Sequence, residues 1–167
     1  MAICKKQKRG KYEMKIAIAS DHGGFELKEE IKKYLEAKAE CGDLGADAKI
    51  DDLGTYSTDS VDYPIYGEKC ARAVAAGKYD RGIVVCGTGI GISIAANKVK
   101  GIRCGLCTSV EMARLTRQHN NANMLALGGR TTKLADALDI TETFLTTDFE
   151  GGRHERRVKM LDEIKSC

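Results

Sequence analysis

The chain predicts an α/β protein: a parallel sheet with helices on both faces. Three features carry that expectation. Short apolar runs alternate with helical periodicities along most of the 167 residues. The runs are apolar at consecutive positions, as in strands buried on both sides. Glycines follow several of these runs at once, marking turns at the strand ends.

The elements follow in order. Lys15-Ile-Ala-Ile-Ala-Ser20 reads as a first strand that stops at Asp21-His22-Gly23-Gly24. Leu27, Ile31, Tyr34 and Leu35 then recur on one helical face. Glu29 stands four residues before Lys33, the favourable order for a helical ion pair. Residues 38–48, rich in Ala, Gly and Asp, read as a loop, and Ile50 to Leu53 as a short second strand. Ile65 to Ala76 is helical, and Gly82-Ile-Val-Val-Cys86 is the clearest strand. A glycine loop, 87–91, leads into a helix over Ser93 to Lys98. Ile102 to Cys107 is a fourth strand, Val110 to Arg117 a helix, and Met124 to Leu127 a fifth strand ending at Gly128-Gly129. Leu134 to Leu145 and Val158 to Ile164 are the closing helices.

Composition narrows the function. Hydrophobic residues at 43% and charged residues at 31% suffice for a packed core. A net charge of +3 is too small for a dedicated nucleic-acid binder. No apolar run reaches the ~20 residues that span a bilayer, and the first residues have no secretory apolar segment. Residues 1–13 read as a flexible, solvated basic extension, with an anion-binding patch as the other reading, and 14–167 as one domain. Seven cysteines, an odd number, fit free thiols in a reducing cytosol. Cys104 and Cys107 lack the second pair of a zinc site, and His22, His119 and His154 lie far from them in sequence. On a strand, positions i and i+3 also face opposite ways, which argues against a redox pair.

In a parallel sheet the ligand sits beyond the carboxyl ends of the strands. That rule selects Asp21–Gly24, Cys86–Gly91, Thr108-Ser109 and Gly128–Arg130. The strongest signal is Cys86-Gly87-Thr88-Gly89-Ile90-Gly91-Ile92-Ser93. Its glycines let the backbone curl and present amides, and the following helix start adds its own unpaired amides and dipole. The glycine spacing is not that of a dinucleotide fingerprint, and no acidic residue closes the next strand. No Lys follows at Walker A spacing. Cys86 at the mouth of the loop is either a thiolate serving as base or nucleophile, or a small hydrophobe finishing the strand. His119, in a polar stretch after a helix, is either a functional imidazole or a solvated cap. Arg153 and Arg157, four apart, share a helix face that suits a phosphate or carboxylate, or form a solvated basic end.

Together these segments resemble the type B ribose-5-phosphate isomerases, grouped with galactose-6-phosphate and allose-phosphate isomerases. The matching pieces are 19–25, Asp62-Tyr-Pro64, 86–98, Gly101-Ile-Arg103, Arg117-Gln-His-Asn120 and 150–157. The resemblance implies a Rossmann-like three-layer α/β/α sandwich with a five-stranded parallel sheet. It implies a cytoplasmic homodimer or dimer of dimers, whose sites draw on both subunits. The implied reaction interconverts ribose 5-phosphate and ribulose 5-phosphate in the pentose phosphate pathway, with no metal or cofactor. A six-carbon substrate, allose or galactose 6-phosphate, is the alternative. A sugar-phosphate-binding regulator without turnover is a second class, which the intact Cys86, Thr88 and His119 disfavour.

By the same resemblance Cys86 is the base between C1 and C2, and Thr88 assists proton movement on the oxygens. His119, helped by Asp21, opens the sugar ring. Gly87, Gly89, Ile90, Gly91, Ser93 and Asn120 cradle the enediolate. His22, Arg130, Arg153 and Arg157 grip the phosphate, and Tyr63 contacts the sugar. Residues 38–48 look like an insertion relative to the family pattern.

Overall fold

The computed structural model describes residues 14–45 and 48–164. Five strands build the sheet: β1 (Lys15–Ser20), β2 (Lys49–Asp52), β3 (Arg81–Cys86), β4 (Cys104–Leu106) and β5 (Met124–Gly128). Six helices accompany them: α1 (Phe25–Glu40), α2 (Tyr63–Ala75), α3 (Ile90–Asn97), α4 (Val110–Asn120), α5 (Leu134–Thr146) and α6 (Arg153–Glu163). The strand order is β2-β1-β3-β5-β4, and every pairing is parallel.

Strand alternation divides the core into two layers. Ile16, Ile18, Ile83, Val85, Leu125 and Leu127 point to one face, where they meet α1 and α5 and the buried Ala113 of α4. Ala17, Ala19, Val84, Cys86, Met124 and Ala126 point to the other, against α2 and α3. Both faces are therefore covered, which explains the unbroken apolar runs. The expected α/β/α sandwich is the fold found.

The chain leaves β1 first toward β2 and then crosses to β3, so the strand order reverses between β1 and β3. At such a reversal the loops beyond neighbouring strands diverge and leave a crevice.

Several boundaries differ from the sequence reading, for local reasons. α1 runs on to Glu40, so residues 38–40 are helix rather than loop. The Ala-Lys-Ala-Glu stretch has high helix propensity. Glu142 of α5 fixes it further by accepting hydrogen bonds from Lys38, at 3.0 Å, and from Tyr34. The 1–13 extension lies outside the described residues. β4 is shorter than expected because the Ile102 amide turns back to the Val99 carbonyl. Asn97 brackets Cys104, donating to its carbonyl and accepting from its amide. α3 starts at Ile90 and α6 at Arg153, so the glycine loop and the arginine pair sit at true helix starts.

Candidate active site

The carboxyl ends of β1, β3 and β5 meet in a crown made largely of backbone. A Cβ on Gly24 would lie 2.5 Å from the Val85 carbonyl carbon, and one on Gly129 2.5 Å from the Gly23 carbonyl oxygen. Only glycine lets these three loops touch. Gly89 adds a positive φ of 78°, which turns the chain from Cys86 into α3.

Cys86 ends β3 on the α2/α3 side and is 5% exposed. Its sulfur accepts a hydrogen bond from the Gly89 amide at 3.2 Å. Beside it the Thr88 hydroxyl accepts from the Ile90 amide at 3.3 Å. The amides of Gly91 and Ile92 belong to the first turn of α3, where no intrahelical acceptor exists. The Ser93 hydroxyl donates back to the Ile90 carbonyl at 2.7 Å, so it tightens the turn. Such an arrangement gathers donors where an oxyanion would form.

Burial pushes the Cys70 and Cys107 thiols up to about 12 and raises Cys104 as well. All three stay protonated thiols, so the Cys104/Cys107 pair lacks the thiolate that redox chemistry needs.

Four more expected residues join the crown. Asp21 is buried, and its carboxylate accepts from the Gly24 amide at 3.0 Å, tying the β1 loop to the start of α1. His22 Nδ1 lies 3.1 Å from the Val61 amide and 3.2 Å from the Val61 carbonyl, which ties the ring to the segment before α2. Tyr63 opens α2, and a Cβ on Gly91 would fall 2.6 Å from its Cζ, so the phenol lies flat on the amide cradle. Arg130 donates its amide to Gly87 at 2.9 Å, and a Cβ on Gly87 would sit 3.5 Å from its Nη1. Its guanidinium therefore hangs over the loop.

His119, Asn120, Arg153 and Arg157 do not join. His119 belongs to the last turn of α4, not to a loop. α4 begins beyond the carboxyl end of β4 and runs back, so its end lies at the opposite edge of the sheet. The six residues of β3 alone separate the edges by roughly 17 Å. There His119 stacks on His154 of α6, ring centroids 4.2 Å apart and planes within 8°. Their Nε2 atoms lie 3.9 and 3.7 Å from a Glu150 carboxylate oxygen. Burial, then the charges of His119 and Arg153, hold His154 below its ordinary basicity. Arg153 and Arg157 stand exposed on the first turns of the same helix. One chain thus keeps Asp21 apart from His119, and His22 and Arg130 apart from Arg153 and Arg157.

Sequence reasoning missed Lys28. Its side chain is fully buried, paired with Asp52 at the end of β2 and lying 2.8 Å from Glu29. Asp52 also accepts from the Gly54 amide at 2.9 Å and from Lys32 at 3.1 Å. Burial alone would raise that carboxyl, yet Lys28, Gly54 and Lys32 together hold it below the usual carboxylate range. The cluster anchors the segment leading to Tyr63. The signal was available, since Lys28 occupies the same stripe as Ile31 and Leu35.

A thiol set among helix-start amides, at the reversal point of a parallel sheet and overhung by the Arg130 guanidinium, defines an α/β enzyme acting on a small anionic substrate. The family described as Ribose/Galactose Isomerase matches residues 16–161, and the chain belongs to that family. It is 44% identical to ribose-5-phosphate isomerase B of Escherichia coli over 151 residues, covering 90% of this chain and 96% of that one. Among solved structures it resembles ribose-5-phosphate isomerase B of Clostridium thermocellum, with TM-score 0.84, 53% identity, and 90% and 96% of the two chains covered. It also resembles the Thermotoga maritima enzyme, with TM-score 0.85, 50% identity, and 92% and 100% covered.

Proposed function

We propose that the chain is a ribose-5-phosphate isomerase whose base is Cys86. The observation that carries this is the Cys86 sulfur, 3.2 Å from the Gly89 amide at the mouth of the amide cradle. The relatives named above supply the substrate.

The chemistry follows from the groups present. The Cys86 thiolate takes the C2 proton of open-chain ribose 5-phosphate, and the electron pair moves onto the carbonyl oxygen at C1. The enediolate charge falls among the amides of the 87–92 loop, which are already oriented and cost no reorganisation. Thr88 shuttles the proton between O1 and O2. The thiol then returns the proton to C1, giving ribulose 5-phosphate. His22 and Arg130 hold the phosphate at the rim, so binding energy remote from the reacting carbons orients them.

The missing imidazole and arginines come from a second copy. In a two-fold dimer, His119, Arg153 and Arg157 of the partner subunit reach the crown, and the same exchange completes the other site. Exposed apolar side chains on α2, α3 and α4 support such a contact: Ile65 at 61%, Ile90 at 53%, Ile94 at 55% and Met112 at 43%. The described cysteines are free thiols, and no described helix is long and apolar enough to cross a membrane. Both suit a cytoplasmic enzyme of pentose phosphate metabolism.

The test is an isomerase assay over five- and six-carbon aldose phosphates. Turnover of ribose 5-phosphate exceeding that of allose and galactose 6-phosphates supports the reading. Preference for a six-carbon phosphate would replace the substrate and keep the mechanism.

A further inference from the structure

We infer that His119, Glu150 and His154 form a site for a divalent transition-metal ion, and that an ion held there takes His119 out of the reaction. The consequence for activity rests on the function proposed above; the site itself does not. Three elements supply one ligand each: the end of α4, the loop before α6, and the first turn of α6. The two imidazole nitrogens and the carboxylate oxygen all lie within 4.8 Å of one another. Zinc and its neighbours hold N and O ligands at about 2.0–2.2 Å, which sets adjacent ligands about 3.4 Å apart. The present separations of 3.7 and 3.9 Å from Glu150 need to close by about half an ångström, and the part-exposed His119 ring must turn out of its stack on His154 for both lone pairs to meet one ion. Glu150 is half exposed and can turn to close that gap.

The surroundings prepare the ligands. The Glu150 amide donates to the Gln118 carbonyl at 3.1 Å, fixing its loop against the end of α4. The His154 amide donates to the Gly151 carbonyl at 3.0 Å. Arg153 Nε donates to His154 Nε2 at 3.4 Å, so that nitrogen is unprotonated and its lone pair is at present occupied by Arg153. Exposed Arg153 surrenders one long hydrogen bond when an ion arrives. Two imidazoles and one carboxylate favour Zn or Ni over Mg or Ca, which prefer all-oxygen sets. The remaining positions stay open to water or to a phosphate oxygen.

Ni(II) is the probe, because it prefers imidazole and so discriminates against the thiols. The experiment titrates it calorimetrically into the untagged, chelator-treated full chain. The expected result is one ion per chain, with affinity lowered at least tenfold in both Glu150→Gln and His154→Gln and kept in Cys86→Ser. Thermal melts show that the variants are folded, and exposed Glu150 gives an informative variant even where buried His154 does not tolerate change. Absence of binding, binding indifferent to Glu150→Gln, or binding lost in Cys86→Ser would overturn the site. In the isomerase assay Ni(II) should compete with the sugar phosphate, be reversed by chelator, and require at least tenfold more ion in Glu150→Gln. Binding without inhibition would overturn the link to His119 while leaving both the metal site and Cys86 standing.

Discussion

The two edges of the sheet are built in opposite ways. The carboxyl-end crown is backbone packed on backbone: Gly24 against Val85, Gly129 against Gly23, and Gly89 turning at a positive φ. Its cysteine, Cys86, is nearly buried and accepts a hydrogen bond from an amide. The opposite edge is built from side chains, with His119, Glu150 and His154 drawn from separate elements and Arg153 and Arg157 exposed beside them. The first is pre-set to stabilise a developing charge. The second gathers side chains that carry protons and charge. Each edge has what the other lacks.

That contrast can be broken most severely at the thiol. Cys86→Ala should lower kcat by about 10³-fold or more, as loss of a positioned base does. Binding of a phosphate-bearing inhibitor should persist, measured by calorimetry. Near-wild-type kcat would remove sulfur from the mechanism.

Backbone packing predicts the next effect. Gly89→Ala introduces a Cβ 2.8 Å from the Leu127 carbonyl carbon at a φ that side chains avoid. It should destabilise the fold by about 1–3 kcal/mol in a denaturant titration. The exposed edge should behave otherwise. Arg153→Ala and Arg157→Ala should each raise KM about tenfold, with an unchanged melting temperature, as expected for loss of a charge-assisted hydrogen bond. If KM stays constant, the grip is made by His22 and Arg130 alone.

The smallest effect is on acid stability. His154 resists protonation in the fold more than in the unfolded chain. At neutral and higher pH both states are neutral and nothing is lost. As pH falls through about 6.5 the unfolded chain gains the proton first, so stability declines until the folded ring also titrates. His154→Gln should flatten that part of the profile in melts between pH 7 and 5.

The same contrast explains what was legible in the sequence. The crown was readable because glycines at strand ends, Cys86 and the start of a helix are contiguous in 86–93. The succession of strands and helices, with strands apolar at consecutive positions, also pointed to a parallel sheet covered on both faces. The far edge was harder. His119 and His154 are 35 positions apart, and only the α4–α6 packing stacks them; read singly, His119 looked like a loop residue. Helix boundaries slipped where a long-range contact decided them, as Glu142 does for Lys38. Lys28 escaped because a lysine on an apolar stripe is ordinarily exposed, and Asp52, its partner, lies on another element.

The central claim is that Cys86 and His119 act together only across two copies of the chain. Mixing Cys86→Ala with His119→Ala, unfolding and refolding together, tests it most directly. A two-fold dimer puts both lesions in one site of each hybrid and leaves the other site intact, so about a quarter of wild-type activity should return. A mixture as inactive as its two parents, with hybrids demonstrated by native mass spectrometry, would contradict the account.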